Sequence, residues 1–208
     1  MSPHRIPLAA ALGGMTLLFA LACGGGSEPD PGSIADPVTP PPPTVVGDHA
    51  SPDGLVTVAH PGAESWTCKD DHATGGGATV TLVKCISTTP DAFLFMMAKD
   101  YTVSPSSVLP AKDLVETEYK AHYAGLYQSV TYTAEGPASI GDHEGWEITL
   151  DAVHGAMGEV HKVERVVIEG THVVLLSAEG NPADYEANGE AIERWMAETR
   201  FTTLQQAE

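Results

Sequence analysis

Four charged side chains in the last third of the sequence have the types and spacing to hold a ligand. Two predicted antiparallel strands joined by a short turn place Asp151 beside His161 and Glu147 beside Arg165. A carboxylate and an imidazole together can bind a divalent metal or a small polar molecule. Ordinary cross-strand charge pairs on a half-exposed sheet face would give the same pattern, and we favour that interpretation. A ligand-binding face is the alternative.

Other residues of chemically useful types are better explained by structure. Asp70, Asp71 and His72 precede a triple glycine, which is typical of a solvated hairpin tip, although a metal site would use the same groups. His122 lies on the apolar stripe of a predicted helix, where a packed, hydrogen-bonded histidine is expected. The sequence contains no G-x-S-x-G, phosphate-loop or H-E-x-x-H motif. We therefore expect no catalysis and no bound metal or cofactor.

The first 22 residues have the organisation of a secretory signal. A short positive start ends at Arg5, and residues 6–22 carry no charge. This apolar stretch is shorter than the ~20 residues needed to cross a bilayer, and Pro7 weakens it as a helix. The chain is therefore expected to be exported.

The end of this signal resembles the lipobox of bacterial lipoproteins. Ala22 precedes Cys23, a Gly/Ser segment follows, and the usual leucine is displaced to Leu21. The resemblance implies cleavage before Cys23 and acylation of this cysteine by chains such as palmitate, and two or more chains anchor a protein stably. By the same resemblance, Gly24 favours the outer membrane of an envelope that has one, with the domain facing the periplasm or the surface. An ordinary signal peptide with an incidental cysteine is the alternative.

Residues 23–47 are expected to be a lipidated tether without a fold. The segment contains the run from Pro40 to Pro43 and has no sustained apolar period, so it cannot bury enough surface to fold. Its prolines favour an extended, semi-stiff conformation. Residues 48–208 then form a single domain, which is long enough to bury a hydrophobic core.

The charge of the chain restricts its partners. The formal net charge is −18, from 28 acidic and 10 basic residues. Such a surface repels phosphate backbones and anionic headgroups, so nucleic-acid binding is not expected. Cationic partners, divalent cations or solubility alone all fit this charge.

The two remaining cysteines are predicted to form a disulfide. Strands at 65–73 and 79–87 flank Gly76-Gly77, and a two-residue turn there places Cys68 directly opposite Cys85. Export to an oxidising compartment agrees with this bond. A two-cysteine metal or redox site is the alternative, but it lacks further ligands at suitable spacing.

Strands and helices alternate in the rest of the domain. Strands are predicted at 55–58, 91–103, 129–134, 138–140, 144–153, 159–168 and 172–178. Helices are predicted at 110–128, with an apolar stripe that includes Leu126, and from Asn181-Pro182 onwards, with Phe201 closing the core. One face of the last three strands is apolar, and it consists of Trp146, Ile148, Leu150, Val166, Ile168, Val173 and Leu175. The other face is mixed.

This order of elements predicts an α+β fold, with helices packed on an antiparallel sheet. The chain resembles the PsbP-like sandwich fold, named for an extrinsic photosystem II protein and found also in a Ran-binding import factor and in small bacterial lipoproteins. The resemblance rests on an opening strand with Pro61 and Trp66, the strand start at Gly145-Trp146-Glu147, and the 165–177 hairpin before the last helix. It covers roughly residues 55–202. A cystatin-like α+β fold is the runner-up.

Together these features predict a non-catalytic accessory or protein-interaction module anchored in the cell envelope. The tether, the acidic surface and the absence of catalytic motifs favour it. The PsbP-like resemblance implies the same, since characterised proteins of that fold mostly act by binding partners. A small-ligand or divalent-metal-binding envelope lipoprotein is the alternative, and an enzyme with an unfamiliar site is the third possibility.

Overall fold

The computed structural model describes residues 47–62, 65–75, 78–89 and 92–206. The predicted signal peptide, Cys23 and all of the predicted tether except Gly47 lie outside the described residues. Within the described ranges, no helix is both long enough and apolar enough to cross a membrane.

Two antiparallel sheets form the framework. The strands of the large sheet are β3 (Trp66–Gly75), β4 (Ala78–Ser87), β5 (Leu94–Thr102), β6 (Ser129–Ile140), β7 (His143–His154), β8 (Gly158–Glu169) and β9 (His172–Gly180). Their order across the sheet is β3-β4-β5-β9-β8-β7-β6. The small sheet has the order β1-β2-β10 and consists of β1 (His49–Ala50), β2 (Val56–Val58) and β10 (Arg200–Phe201). The predicted opening strand therefore belongs to the small sheet.

The helices follow the predicted positions, with two differences. Helix α1 (Ala111–Leu114) continues through a π-helical turn (Val115–Tyr119) into α2 (Lys120–Leu126). The later helices are α3 (Pro182–Ala187), α4 (Gly189–Glu198) and α5 (Thr202–Gln205), and a short 3₁₀ turn spans Pro105–Ser107. Asn181 caps α3 as predicted, since its side chain accepts a hydrogen bond from the Asp184 N–H. The single last helix expected from the sequence is interrupted at Asn188, whose side chain donates to the Asp184 carbonyl at the end of α3.

Both faces of the large sheet are covered, which makes the molecule a three-layer sandwich. On the face that we call the helix side, α1 and α2 pack against β6, β7 and β8 over a core that includes Tyr123 and Leu150. On the opposite face, the far side, α4 and the small sheet enclose a second core around Trp195 and Phe201. The predicted α+β fold is confirmed.

Two local expectations are wrong, and a third holds for part of the sheet. The mixed face is half-exposed at the Glu147–Arg165 and Asp151–His161 pairs, as expected, but its β9 part, which includes Leu176, is buried beneath the far-side layer. Residues 129–140 form one strand with a bulge between Tyr132 and Ala134, not two short strands. Leu126 is 44% exposed, because the buried stripe of the helix advances in steps of four residues, through Val115, Tyr119, Tyr123 and Tyr127.

Candidate functional site

Five polar side chains lie in the middle of the helix side, at positions where an apolar core residue would be expected. They are Lys99 on β5, Lys162 and Glu164 on β8, and Ser177 and Glu179 on β9, and we call them the central cluster. None is more than 8% exposed. Polar groups at this depth need partners, since burying one without a hydrogen bond is costly.

Strand register brings these residues together. Lys162 pairs with Glu179 across β8 and β9, and Glu164 pairs with Ser177. Lys99 lies opposite Leu175, next to the pair formed by Met97 and Ser177. Because alternate residues of a strand share a face, all five members of the cluster point towards the helix layer.

Lys162 holds the two carboxylates of the cluster. Its Nζ lies 3.2 Å from Glu164 Oε2 and 3.3 Å from Glu179 Oε2, and 4.7 Å above the ring of Tyr123. Burial alone would lower the pKa of Lys162, but Glu164, Tyr123 and Glu179 raise it well above its ordinary value. The Tyr127 hydroxyl donates to Glu179 Oε1 at 3.0 Å. In this half of the cluster, the buried charge of Lys162 is therefore compensated by Glu164 and Glu179.

Lys99 lacks such compensation. Its Nζ faces the ring of Tyr101 at 4.8 Å, and no carboxylate of the described residues lies within 4.0 Å of it. Burial lowers the pKa of Lys99, and Glu164 partly opposes that shift. Two buried atoms of the cluster, Ser177 Oγ and Glu164 Oε1, have no hydrogen-bond partner among the described residues. A buried polar group that stays unsatisfied costs about 1–3 kcal/mol, so these two atoms are the positions of the cluster where a further partner would stabilise the fold.

Tyrosine side chains lie next to the residues of the central cluster. The Tyr101 and Tyr119 hydroxyl oxygens are 3.3 Å apart, and burial raises the pKa of Tyr101 to about 12. Burial raises the pKa of Tyr119 and Tyr123 well above the ordinary value as well. The tyrosines therefore stay neutral near pH 7 and act there as hydrogen-bonding groups rather than as acids.

Next to the central cluster the helix side is only partly covered. Helices α1 and α2 pack on β6 to β8, whereas strands β4 and β5 carry a group of half-buried residues that we call the open strip: Leu82, Lys84, Ile86, Phe95 and Met97. Ile86 is 37% exposed, and Lys84 Nζ lies 4.3 Å over the Phe95 ring. Burial lowers the pKa of Lys84. Exposed Lys69 on β3 lies directly opposite Lys84.

The lysines of the chain are segregated on this side of the sheet. Besides Lys69 and the three lysines already placed, Lys112 lies 5.1 Å over the Trp146 ring and Lys120 lies 4.9 Å over the Tyr132 ring. Cation–ring contacts of this kind contribute roughly 0.5–1 kcal/mol at exposed sites and more when desolvated. All six lysines of the chain therefore lie on the helix side, where Lys120 and Lys162 are paired with glutamates.

The four residues predicted from sequence lie on the far side and form two separate pairs. Arg165 Nη2 donates to Glu147 Oε2 at 2.7 Å, and its Nη1 donates to the Ser139 carbonyl. His161 Nδ1 lies 2.6 Å from Asp151 Oδ1. Both pairings are those expected from the turn register. The pairs are four residues apart along β7, about 13 Å, so the structure does not gather the four into one site.

The remaining sequence candidates are also placed. Asp70 and Asp71 lie within β3 rather than at a hairpin tip; Asp70 is hydrogen-bonded to His49. His72 Nδ1 lies 3.8 Å from an Asp53 oxygen. Among the described residues, no three His, Cys, Asp or Glu side chains are arranged to hold a metal.

The structure also places His122 and the two cysteines of the domain. His122 is half-buried beside the Tyr123 ring, and no described residue makes the hydrogen bond that was expected for it. Cys68 is bonded to Cys85, with Cα atoms 4.0 Å apart, and Gly75 lies opposite Ala78 as the turn register predicts.

The central cluster is not among the residues predicted from the sequence, although the sequence contains a signal for it. Lys162 and Glu164 share strand parity with Val160 and Val166, which belong to the helix-side core. A charged residue at an apolar parity position of a covered strand indicates a buried charge that needs a partner.

Comparisons with known proteins define the fold. No curated protein matches the sequence. The solution structure of the cyanobacterial PsbP protein CyanoP, from Synechocystis sp. PCC 6803, is similar, with a TM-score of 0.53 and 7% identity over 74% of this chain and 91% of that one. At this identity the likeness shows the fold alone, which is PsbP-like.

Two further solved structures have a lower TM-score of 0.43. A Pseudomonas aeruginosa protein of unknown function is 13% identical, over 62% of this chain and 94% of that one. LpqN, involved in cell envelope biogenesis of Mycobacterium tuberculosis, is 14% identical, over 69% of this chain and 88% of that one.

The sequence also matches one family profile. The match spans residues 63–191, from just before β3 through the first turn of α4, and therefore includes the central cluster and the open strip. The chain belongs to the family of unknown function DUF6461.

Proposed function

We propose that this chain is a lipid-anchored, non-catalytic binding module of the cell envelope, and that it engages a protein partner through the open strip. The proposal rests on one observation: the helices leave the open strip on β4 and β5 uncovered. Ile86, Phe95 and Met97 keep apolar surface accessible beside Lys84 and Lys69, in a chain that is otherwise strongly acidic. Apolar surface rimmed by charged groups is typical of interaction sites.

Sequence supports the anchoring part of this proposal. The signal at residues 1–22, the cysteine at its end and the proline-rich tether at 23–47 fit a domain held close to a membrane, which we propose to be the outer membrane. Cys23→Ala should leave the protein unlipidated: labelled palmitate should enter the wild type and not the variant. A variant that still sediments with membranes after a salt wash would show that the anchor lies elsewhere.

The binding part can be tested with a photo-crosslinking amino acid placed in the full-length chain in cells. Position 86 lies in the open strip, and position 157, in the β7–β8 turn, is a control of similar exposure, since Met157 is 41% exposed. We expect a discrete adduct from position 86, identifiable by mass spectrometry, and none from position 157. Equal labelling from both positions would refute a partner at the open strip.

A small ligand is the second candidate, and a specific observation favours it. Ser177 Oγ and Glu164 Oε1 are buried without a hydrogen-bond partner among the described residues. A bound small molecule would supply partners for these two atoms. The acidic and histidine residues of the far side favour a metal less, because they are used in two separate pairs.

A further inference from the structure

We propose that two copies of this chain associate through the free edges of their β3 strands, which pair antiparallel about a twofold axis at Asp70. The two large sheets then form one continuous sheet. Because the axis is perpendicular to the sheet, the helix sides of both copies lie on the same face. This inference goes beyond the proposed function and does not depend on it.

The first argument is the state of the β3 edge. Strand β3 is an outer strand of the large sheet, and within the described residues it pairs with β4 alone. Its register with β4 runs from Trp66 to Gly75 without a shift, and the strand contains no proline. The opposite outer strand, β6, carries Pro137 and a bulge between Tyr132 and Ala134, and both features protect an edge from pairing. The edge that can accept a further strand is therefore that of β3.

The second argument is the direction of the backbone groups along this edge. The Thr88 N–H donates to the Ser65 carbonyl, so these two residues form a hydrogen-bonded pair beside the β3–β4 ladder. Such pairs alternate with non-hydrogen-bonded pairs in an antiparallel ladder. The odd-numbered residues of β3 therefore bond to β4, and the even-numbered residues, from Trp66 to Thr74, turn their N–H and C=O groups to the free edge. A second β3 strand must match even-numbered residues with even-numbered residues.

The third argument is charge complementarity in the registers that this rule allows. Two registers give the longest overlap: one is centred on Asp70 and spans residues 66–74, and the other is centred on Asp71 and spans residues 67–75. The register centred on Asp70 places Lys69 opposite Asp71 of the second copy at two symmetric non-hydrogen-bonded positions, where opposing side chains are closest. The register centred on Asp71 would place Asp71 opposite its own copy at such a position. Charge therefore favours the axis at Asp70.

Lys69 and Asp71 are both available for these contacts. Both side chains are exposed, and within the described residues of one copy neither makes an ion pair. A lysine on a strand edge ordinarily discourages pairing, but in this register Asp71 of the second copy compensates the charge of Lys69.

One like-charge contact remains at the axis, where Asp70 lies opposite Asp70 of the second copy. This is a hydrogen-bonded pair, in which the Cα atoms are about 5.5 Å apart rather than about 4.5 Å. Each Asp70 carboxylate is also hydrogen-bonded to His49 of its own copy. The repulsion at the axis is therefore weaker than it would be between two copies of Asp71.

Sedimentation equilibrium of the full-length exported chain carrying Cys23→Ala, which removes the lipid, measures the Kd of the dimer over a series of concentrations. We expect the mass to rise from that of one copy to that of two. Lys69→Asp and Asp71→Lys should each raise the Kd at least about tenfold, because two attractive pairs become two repulsive ones. Combining both substitutions exchanges the charges and should return the Kd to within about threefold of the wild type. Lys112→Asp, the matched control, makes the same change of charge on α1 and should leave the Kd unchanged.

Asp70→Asn tests the register. It removes the like-charge contact at the axis and should lower the Kd, whereas Asp71→Asn should raise it. The opposite pair of results would overturn the axis at Asp70. A chain that stays monomeric at every concentration, a dimer indifferent to Lys69→Asp, or a charge exchange that fails to restore the dimer would overturn the inference as a whole. An edge reserved for a strand of a different protein would give the first of these results.

Discussion

Lys99 and Lys162 are both buried lysines of the helix side, yet their surroundings differ. Lys162 lies between two glutamates, whereas Lys99 faces only an aromatic ring. Removing one partner of a buried ion pair leaves an uncompensated charge, while removing an unpaired buried charge relieves a desolvation cost. The two residues should therefore respond in opposite ways to the same substitution.

Lys162→Met should lower the free energy of unfolding by about 3–5 kcal/mol, because it leaves Glu164 and Glu179 buried without a cation. Lys99→Met, the matched control, should leave it unchanged or raise it. Urea denaturation of the two variants and the wild type measures both effects. A similar loss for both lysines would show that Lys99 is compensated in a way the contacts do not reveal.

His122 should make stability depend on pH. Burial, and then the charges of Lys162 and Lys99, lower the pKa of His122 below 6.5, with Glu164 opposing. The unfolded chain therefore binds this proton more readily, so this contribution is intact above pH 6.5 and is lost as the pH falls through 6.5 towards the folded pKa. Between about pH 7 and pH 5, His122→Gln should lose less stability than the wild type, by at most about 1.4 kcal/mol per pH unit. Urea midpoints across this range measure it, and parallel losses would contradict the assignment.

At the scale of single elements, turn sequences predicted the strand pairing within hairpins, whereas the extent of the edge strand β6 was not predicted. The Gly76-Gly77 sequence predicted the register that places Cys68 opposite Cys85, because a two-residue turn would fix every pair that follows, and the β3–β4 pairing agrees. The sequence predicts two short strands where β6 is continuous, and the predicted gap contains Gly136 and Pro137, which are typical strand breakers. The strand continues because β6 lies at the edge of the sheet, where proline is tolerated.

The central cluster could not be predicted in the same way. Alternation within β8 places Lys162 and Glu164 on the helix side, but burial there depends on α1 and α2, which pack on β8 from another part of the chain. Whether Lys162 pairs with Glu179 depends on the β8–β9 register. The neighbours of Lys99 depend on the pairing of β5 with β9, which is far away in sequence. Sequence indicated the positions and not the pairing.

The disulfide between β3 and β4 should be a main stabiliser of that end of the sheet. Replacing Cys68 and Cys85 together by alanine should lower the free energy of unfolding by about 3 kcal/mol, because the unfolded chain regains the entropy of the closed loop. Denaturation with and without a reductant provides the control: the reductant should destabilise the wild type and leave the double variant unaffected. A wild type that is indifferent to reduction would contradict the role of the bond.

At the scale of the whole molecule, the lysines and two of the arginines lie on opposite sides of the large sheet. The lysines lie on the helix side, and the arginines Arg165 and Arg194 are used in ion pairs with Glu147 and Glu198. Exposed charges separated by more than about 8–10 Å are largely screened at physiological salt, so the lysines act locally in spite of the net charge of −18. A partner that meets this side would meet lysines and apolar side chains together.

The most direct measurement compares two charge reversals in the chain that carries the photo-crosslinker at position 86. Lys69→Glu with Lys84→Glu alters the helix side, and Arg194→Glu with Arg200→Glu alters the net charge by the same amount with two exposed arginines. Circular dichroism of each variant establishes that it is folded. We predict that the lysine pair abolishes the adduct in cells and that the arginine pair preserves it. An adduct that survives the lysine reversal, or that is lost equally in both variants, would contradict a binding surface at the open strip.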